Sequence, residues 1–448
     1  MSPFAARTGR LRTVLTLLLL LATGAAAGQG TPADGPMAGL PDRAPAKGLE
    51  QPLSSGQPTV IRAGILHTQA RDATGAWAPP ISDGIVVIRD RRIAAVGPAG
   101  SVIIPDGARV IEAPVVTPGL IDGRSVVGLA GWLNYGHDQD QLEDSEPIQP
   151  ELQATDAFNG REPLLEWIRS FGVTTAHTGH APGNLISGQT MIVKTRTGEL
   201  EDAVVTPLFA IAATLGDDAM ESDRSPGTRA KQLAMLRQAL LDAREHADQL
   251  RRAGDDPEKR PGRDLRKEAL GRVLSGEVPL LLNCHRSIDI QNALRLSDEF
   301  GFRLILDGAA EVLEHADEVK ARGIPVLAHP PMMRATGQGE NASMTTVARL
   351  IAAGIPCALQ SGYEGYVPKT RVVLLEAAIA CAYGASFADA LGTITLSAAE
   401  ILGISARVGS IEVGKDADIA LYDGDPFEYT SHCIGVLIEG QVVSAIVR

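Results

Sequence analysis

The chain has 448 residues, of which 44% are apolar and 21% charged. That composition excludes a disordered, collagen-like or multi-spanning membrane protein. Lys and Arg number 41 against 54 Asp and Glu, a net charge of −13, which argues against a nucleic-acid backbone as the main partner. Aromatics are only 4%, whereas Gly (47) and Pro (28) are plentiful. The core is therefore expected to consist of Ala, Val, Ile and Leu, with many turns between elements.

At the N-terminus, Arg7, Arg10 and Arg12 precede an apolar run from Val14 to Ala22 and the small residues Ala25-Ala26-Ala27. A basic start, a short apolar stretch and an A-x-A end predict a secretory signal peptide over residues 1–27, and so a periplasmic or secreted protein. The run falls short of the ~20 residues of a membrane span, so no stable span is expected after cleavage. Residues 28–58, rich in Pro, Gly, Ala and Ser, read as a flexible linker.

From Thr59 the pattern turns to short strands. Ile85 to Ile88, the turn Arg89-Asp90-Arg91-Arg92 and Ile93 to Gly97 predict a β-hairpin. The far C-terminus has the same character. Gly409-Ser410-Ile411 and Ile419 to Tyr422 read as strands, and Val436 to Ile438 with Gln441 to Val443 as a hairpin. Residues 59–116 and 405–448 are thus expected to build one β-sandwich domain from both chain ends.

Between them strand and helix signals alternate. Strands are predicted at Val173 to Ala176, Pro279 to Leu282, Arg303 to Leu306, Pro325 to Ala328 and Pro356 to Leu359. Helices are predicted at Ile288 to Phe300 and Met344 to Ala353. Such alternation implies βα units around a parallel sheet. Residues 117–404 suffice for a TIM-like (β/α)8 barrel of ~250 residues, making the fold class α/β. A charged stretch at about 226–275 reads as a helical insertion. Cys284, Cys357, Cys381 and Cys433 form no C-x-x-C pair and read as small buried apolar residues.

Val116-Thr117-Pro118-Gly119-Leu120-Ile121-Asp122 resembles the start of the barrel in metal-dependent amidohydrolases. Arg89 to Gly97 is similar to that family's first β domain. Gly409-Ser410-Ile411-Glu412-Val413-Gly414-Lys415-Asp416-Ala417-Asp418-Ile419 resembles its return to that domain. The resemblance covers about residues 59–448 and points to the imidazolonepropionase-like branch. It implies hydrolysis of a carbon–nitrogen bond other than a peptide bond, in a small molecule such as a cyclic amide. It also implies a divalent metal (Zn, Fe or Mn) and a homodimer.

The site motifs depart from the family. Its His-x-His positions are here Arg124 and Val126, and neither side chain can ligate a metal. The family's His-Ala-His-Arg reads Asn283-Cys284-His285-Arg286. A strand that usually ends in His reads Leu306-Asp307-Gly308. The last strand runs Ala358-Leu359-Gln360-Ser361-Gly362-Tyr363-Glu364, with no Asp.

Three outcomes stay open at this level. A remodelled metal site would draw on His177, His180, His285 and His329, all at or just past predicted strand ends, and on Lys194, whose counterpart in relatives can be carbamylated. Asp138 and Asp140 could add oxygens to it. A metal-free hydrolase would use His285 as general base, Asp307 as the carboxylate orienting it, and Arg124 as the cation. A catalytically inactive homologue would instead bind a small ligand or join an assembly.

Overall fold

The computed structural model describes residues 44–50, 56–133, 135–220, 225–363 and 372–448. The signal segment 1–27 and the linker up to residue 43 lie outside the described residues.

The first β unit consists of β1 (Thr59–Leu66), β2 (Ile81–Arg89), β3 (Arg92–Pro98) and β4 (Arg109–Pro118). β2 and β3 form the expected hairpin, turning through Asp90 and Arg91 in left-handed conformation (φ 47° and 71°). That backbone matches the twist of the strands it joins. β1 runs parallel to β4, whose end leads straight into the barrel.

The barrel strands are β5 (Leu120–Ser125), β6 (Val173–Gly179), β7 (Ile186–Lys194), β8 (Val204–Thr214), β9 (Leu280–Cys284), β10 (Leu304–Gly308), β11 (Val326–Ala328) and β12 (Cys357–Leu359). They lie side by side in chain order as an eight-stranded sheet. The ring meets itself where Gly362 N donates to Arg124 O at 3.0 Å. The α/β barrel expectation holds, with one departure. β7 runs antiparallel to both β6 and β8, so short connections, the second holding only the one-turn helix Leu200–Ala203, replace the long crossover helices there.

Inside the barrel, Ile121, Ile192, Phe209, Leu281, Ile305, Leu327 and Ala358 form an apolar floor, sealed by Ala398, Ala399 and Leu402. Side chains two residues further along a strand face the same way. The polar Asn283, Asp307, His329 and Gln360 follow the floor residues Leu281, Ile305, Leu327 and Ala358 at that spacing. Alternation alone therefore stacks a polar layer on a dry one.

The charged stretch forms two helices, Arg229–Ala253 and Leu265–Leu274, capped by the side chains of Thr228 and Asp264. Leu233, Leu236, Leu240 and Ala243 recur at helical spacing and are buried in the main core. The pair is the barrel's own β8-to-β9 crossover, packed against it rather than projecting from it.

The chain returns through β13 (Ile419–Tyr422), β14 (Cys433–Ile438) and β15 (Gln441–Ser444). They extend the first unit into one seven-stranded sheet, ordered β15-β14-β13-β4-β1-β2-β3. The hydrogen bonding is continuous from both ends, and the sheet curls so that Ile88 and Ile93 pack in one core with Ile434 and Leu437. Gly409-Ser410-Ile411 is a loop rather than a strand, held by Ile411 N to Thr68 O at 2.8 Å.

The linker expectation fails at its end. Ala46 N donates to Ile434 O at 2.9 Å, Leu49 is buried, and Arg109 binds the carbonyls of Gly48 and Leu49. Residues 44–50 are thus docked onto the sheet. None of the four cysteines is in a disulfide; Cys381 alone is only half-buried. No helix among the described residues is long and apolar enough to cross a membrane.

Candidate active site

A cavity of about 610 Å3 opens at the C-terminal ends of the barrel strands, where barrel enzymes place their chemistry. Arg124, Asn283, His285, Asp307, His329 and Gln360 line it. A larger cleft of about 1020 Å3 lies at the opposite end, against the strand starts Pro279, Arg303, Pro325 and Pro356. It holds none of the candidate residues.

Arg124 is the penultimate residue of β5 and is only 3% exposed. Its Nη1 donates to Ser125 O at 2.8 Å and its Nη2 to His180 O, which fixes the guanidinium plane. Its Nε has no hydrogen-bond partner. Burial lowers its pKa, and the charges of Asp307 and then Asp122 oppose that shift. Neither carboxylate is within ion-pair distance of it.

His285 follows β9, half-buried, and its imidazole makes no hydrogen bond among the described residues; its Nδ1 is buried. Burial lowers its pKa, against the nearby charges of Asp307, Asp218 and Glu311. The imidazole is therefore neutral and able to accept a proton at neutral pH. Gly308 leaves it room, since a Cβ there would come within 2.5 Å of His285 Cε1.

Asp307 does not hold His285 directly. Its Oδ2 accepts from Asn283 Nδ2 at 3.1 Å and its Oδ1 from Gln360 Nε2 at 2.7 Å. Gln360 Nε2 also reaches Leu327 O at 2.8 Å. The carboxylate is thus strapped by two carboxamides across β9 to β12, and it acts on His285 only through its charge.

The remaining candidates do not join as a metal centre would require. His177 is fully buried, with Nδ1 at 2.7 Å from Gly123 O and Nε2 at 2.8 Å from Thr190 Oγ1. Burial, reinforced by Arg124, pushes its pKa down to about 3. His180 is buried against Gly188 and pushed down to about 4 by burial and Arg124. Neither ring lines the cavity. His329 does line it, but its Nδ1 lies 2.9 Å from Pro330 O and its Nε2 3.1 Å from Thr346 Oγ1. Burial takes its pKa to about 4.

Lys194 is at the other end of the barrel. Because β7 is antiparallel, its last residue reaches the floor, where the ammonium pairs with Asp418 and, at 3.6 Å, with Asp416. Asp138 is partly exposed at the end of the short 3-10 turn Gly136–Asp138. It carries nothing toward the cavity, and neither Asp138 nor Asp140 lines it. Among the described residues, no group of three or more His, Cys, Asp or Glu could hold a metal ion. The donor set does not fit the divalent metal that the resemblance implies, because Arg124 and Val126 remove two ligands and hydrogen bonds occupy His177 and His329.

Asp122 and Ser361 went unassigned in the sequence. Asp122 accepts from Ser361 N at 2.9 Å, from Ser361 Oγ and from Arg124 N at 3.2 Å. It laces β5 to the end of β12 and so closes the ring beside the cavity. Burial raises its pKa to about 6. The alternation that put Asp307 inward would also have found Asn283 and Gln360.

These pKa values predict the pH dependence of stability. His177, His180 and His329 are depressed from 6.5 to about 3, 4 and 4, so protons bind the unfolded chain first as pH falls. At about 1.4 kcal/mol per pH unit, each contributes on the order of 3–5 kcal/mol that is present above pH 6.5 and lost toward pH 4. Asp122 works oppositely. Raised from 3.8 to about 6, it favours the folded state at low pH and loses about 3 kcal/mol as pH rises through that window. Three histidines outweigh one aspartate. The urea midpoint is expected to fall steadily from pH 7 to pH 4.5, and a flat or rising midpoint would contradict the assignment.

Comparison with known proteins fits this architecture. The amidohydrolase family model matches residues 314–444. Amidohydrolase tasK of Hapsidospora irregularis is 26% identical over 86% of this chain, which spans only 43% of that relative's length. An imidazolonepropionase of Rhizorhabdus wittichii is 24% identical over 81% of this chain and 94% of its own. The crystal structure of an amidohydrolase from Thermotoga maritima MSB8 superposes with a TM-score of 0.80 at 26% identity, covering 87% of this chain and 100% of that one. Barrel, two-ended β sheet, motif order and relatives agree: the chain is similar to the amidohydrolases, and within them to the imidazolonepropionase-like branch.

Proposed function

We propose that the protein is an exported hydrolase that cleaves a carbon–nitrogen bond, other than a peptide bond, in a small molecule such as a cyclic amide. One observation carries the reading. His285 presents a neutral imidazole, bonded to no described residue, in a cavity of about 610 Å3 at the catalytic end of the barrel. Relatives named amidohydrolase and imidazolonepropionase support the reaction class.

His285 takes a proton from water as the water oxygen bonds to the amide carbon. The carbon–nitrogen bond then breaks, and His285 returns the proton to the leaving nitrogen. Asn283, Asp307 and Gln360 form the rigid wall beside it. A panel of lactams, cyclic ureides and small linear amides tests the reading. Turnover of at least one class is expected. Ligand binding without any turnover would favour the inactive homologue instead.

Export rests on the basic start, the apolar run and Ala25-Ala26-Ala27. N-terminal sequencing of protein secreted by a bacterial host is expected to begin near residue 28; an intact Met1 would overturn it.

A further inference from the structure

We propose that Arg124 supplies, as a fixed guanidinium, the positive charge of this cavity, so that the site binds a carbonyl or oxyanion oxygen without a metal ion. The inference rests on the hydrolase reading above and specifies how its cavity meets its substrate.

Among the described residues, the buried lining of the cavity offers a cation few free donors; the carboxylate of Asp218 is at its exposed edge. Both nitrogens of His329 lie within hydrogen-bond distance of Pro330 O and Thr346 Oγ1, and both oxygens of Asp307 are bound by Asn283 and Gln360. His285 is the one lining imidazole, among the described residues, that has no hydrogen-bond partner. A catalytic divalent ion needs about three protein ligands. It would also sit in the field of a guanidinium that is always charged.

Arg124, by contrast, is built in. Two carbonyls clamp its terminal nitrogens, it is 3% exposed, and its Nε–H is left without a partner. Asp307 and Asp122 balance its charge without forming an ion pair with the guanidinium. A fixed, pre-oriented positive charge beside the cavity stabilises a developing oxyanion. In the step, the water oxygen bonds to the carbonyl carbon and its proton passes to His285. The carbonyl oxygen gains the negative charge beside Arg124. When the carbon–nitrogen bond breaks, the charge leaves that oxygen and the proton goes to the nitrogen. No electron donor or acceptor is needed.

The test uses the purified full-length protein with and without dipicolinate, and methylphosphonate as a tetrahedral oxyanion probe. Expected are a Zn, Fe and Mn content far below one ion per chain and methylphosphonate binding that the chelator does not change. R124Q should weaken that binding about 10- to 100-fold. R124K keeps the charge but loses the fork, so it should fall between, and it serves if R124Q fails to fold. One bound metal per chain, binding abolished by the chelator, no binding by the wild type, or R124Q binding like the wild type would each overturn the inference. Failure of every amide substrate would instead sink the hydrolase reading while leaving methylphosphonate binding at Arg124 intact.

Discussion

Lys194→Met is expected to destabilise the native state by about 3–5 kcal/mol, because it strands a buried carboxylate. The Lys194 and Asp418 side chains are only 4% and 3% exposed. Burial already raises the pKa of Asp418, and the Lys194 charge is the main force opposing that rise. Asp418 Oδ1 also accepts from Glu439 N at 2.9 Å, so the same carboxylate ties the end of β7 to the loop after β14. Asp416, 3.6 Å from Lys194, is paired at 2.7 Å with Arg407. The cluster therefore fastens the barrel floor to the β sheet. Removing both charges should hurt less than removing one, since a neutral pair leaves nothing uncompensated. K194M/D418L is expected to recover much of the loss in urea unfolding. A single variant as stable as the wild type would show that the pair carries no such role.

His285→Gln is expected to lower kcat/KM by about 100- to 10,000-fold, the usual worth of a general base. The loss should fall on kcat, because the imidazole acts on the water rather than holding the substrate. Its melting temperature should stay near that of the wild type, since the His285 imidazole makes no hydrogen bond among the described residues and glutamine is of similar size. The wild-type pH profile adds a second check. Burial lowers the pKa of His285, so activity should fall as pH drops, with the acid limb below the ordinary 6.5. That limb should disappear in the variant. A variant with full activity and an unchanged profile would remove His285 from the mechanism.

Much of the fold was legible because motif and periodicity agreed. The run from Val116 to Asp122 marked the passage from sheet to barrel, and Gly409 to Ile419 marked the return, although its first three residues form a loop. The buried strands of the second half appear as short apolar runs, each followed two residues on by a polar side chain. What stayed hidden was direction and partnership. Ile186 to Lys194 is a strand, yet its glycine-rich approach reads as a loop, and nothing in it reveals that it runs antiparallel. Lys194 was therefore expected at the mouth when it lies at the floor. His177 faces inward as alternation requires, but Thr190, which occupies its Nε2, belongs to that unread strand. Asp307 was expected to orient His285; the carboxamides that hold it come from β9 and the end of β12, which only the closed ring brings together. Residues 44–50 lack any periodicity, and their docking depends on Arg109 reaching two backbone carbonyls.

The most direct test of the central claim is hydrolysis in 18O-labelled water, run side by side on the wild type and H285Q with the best substrate of the amide panel. The account predicts one labelled oxygen in the carboxylate product of the wild type and almost no product from the variant. Equal labelled product from both proteins would contradict it.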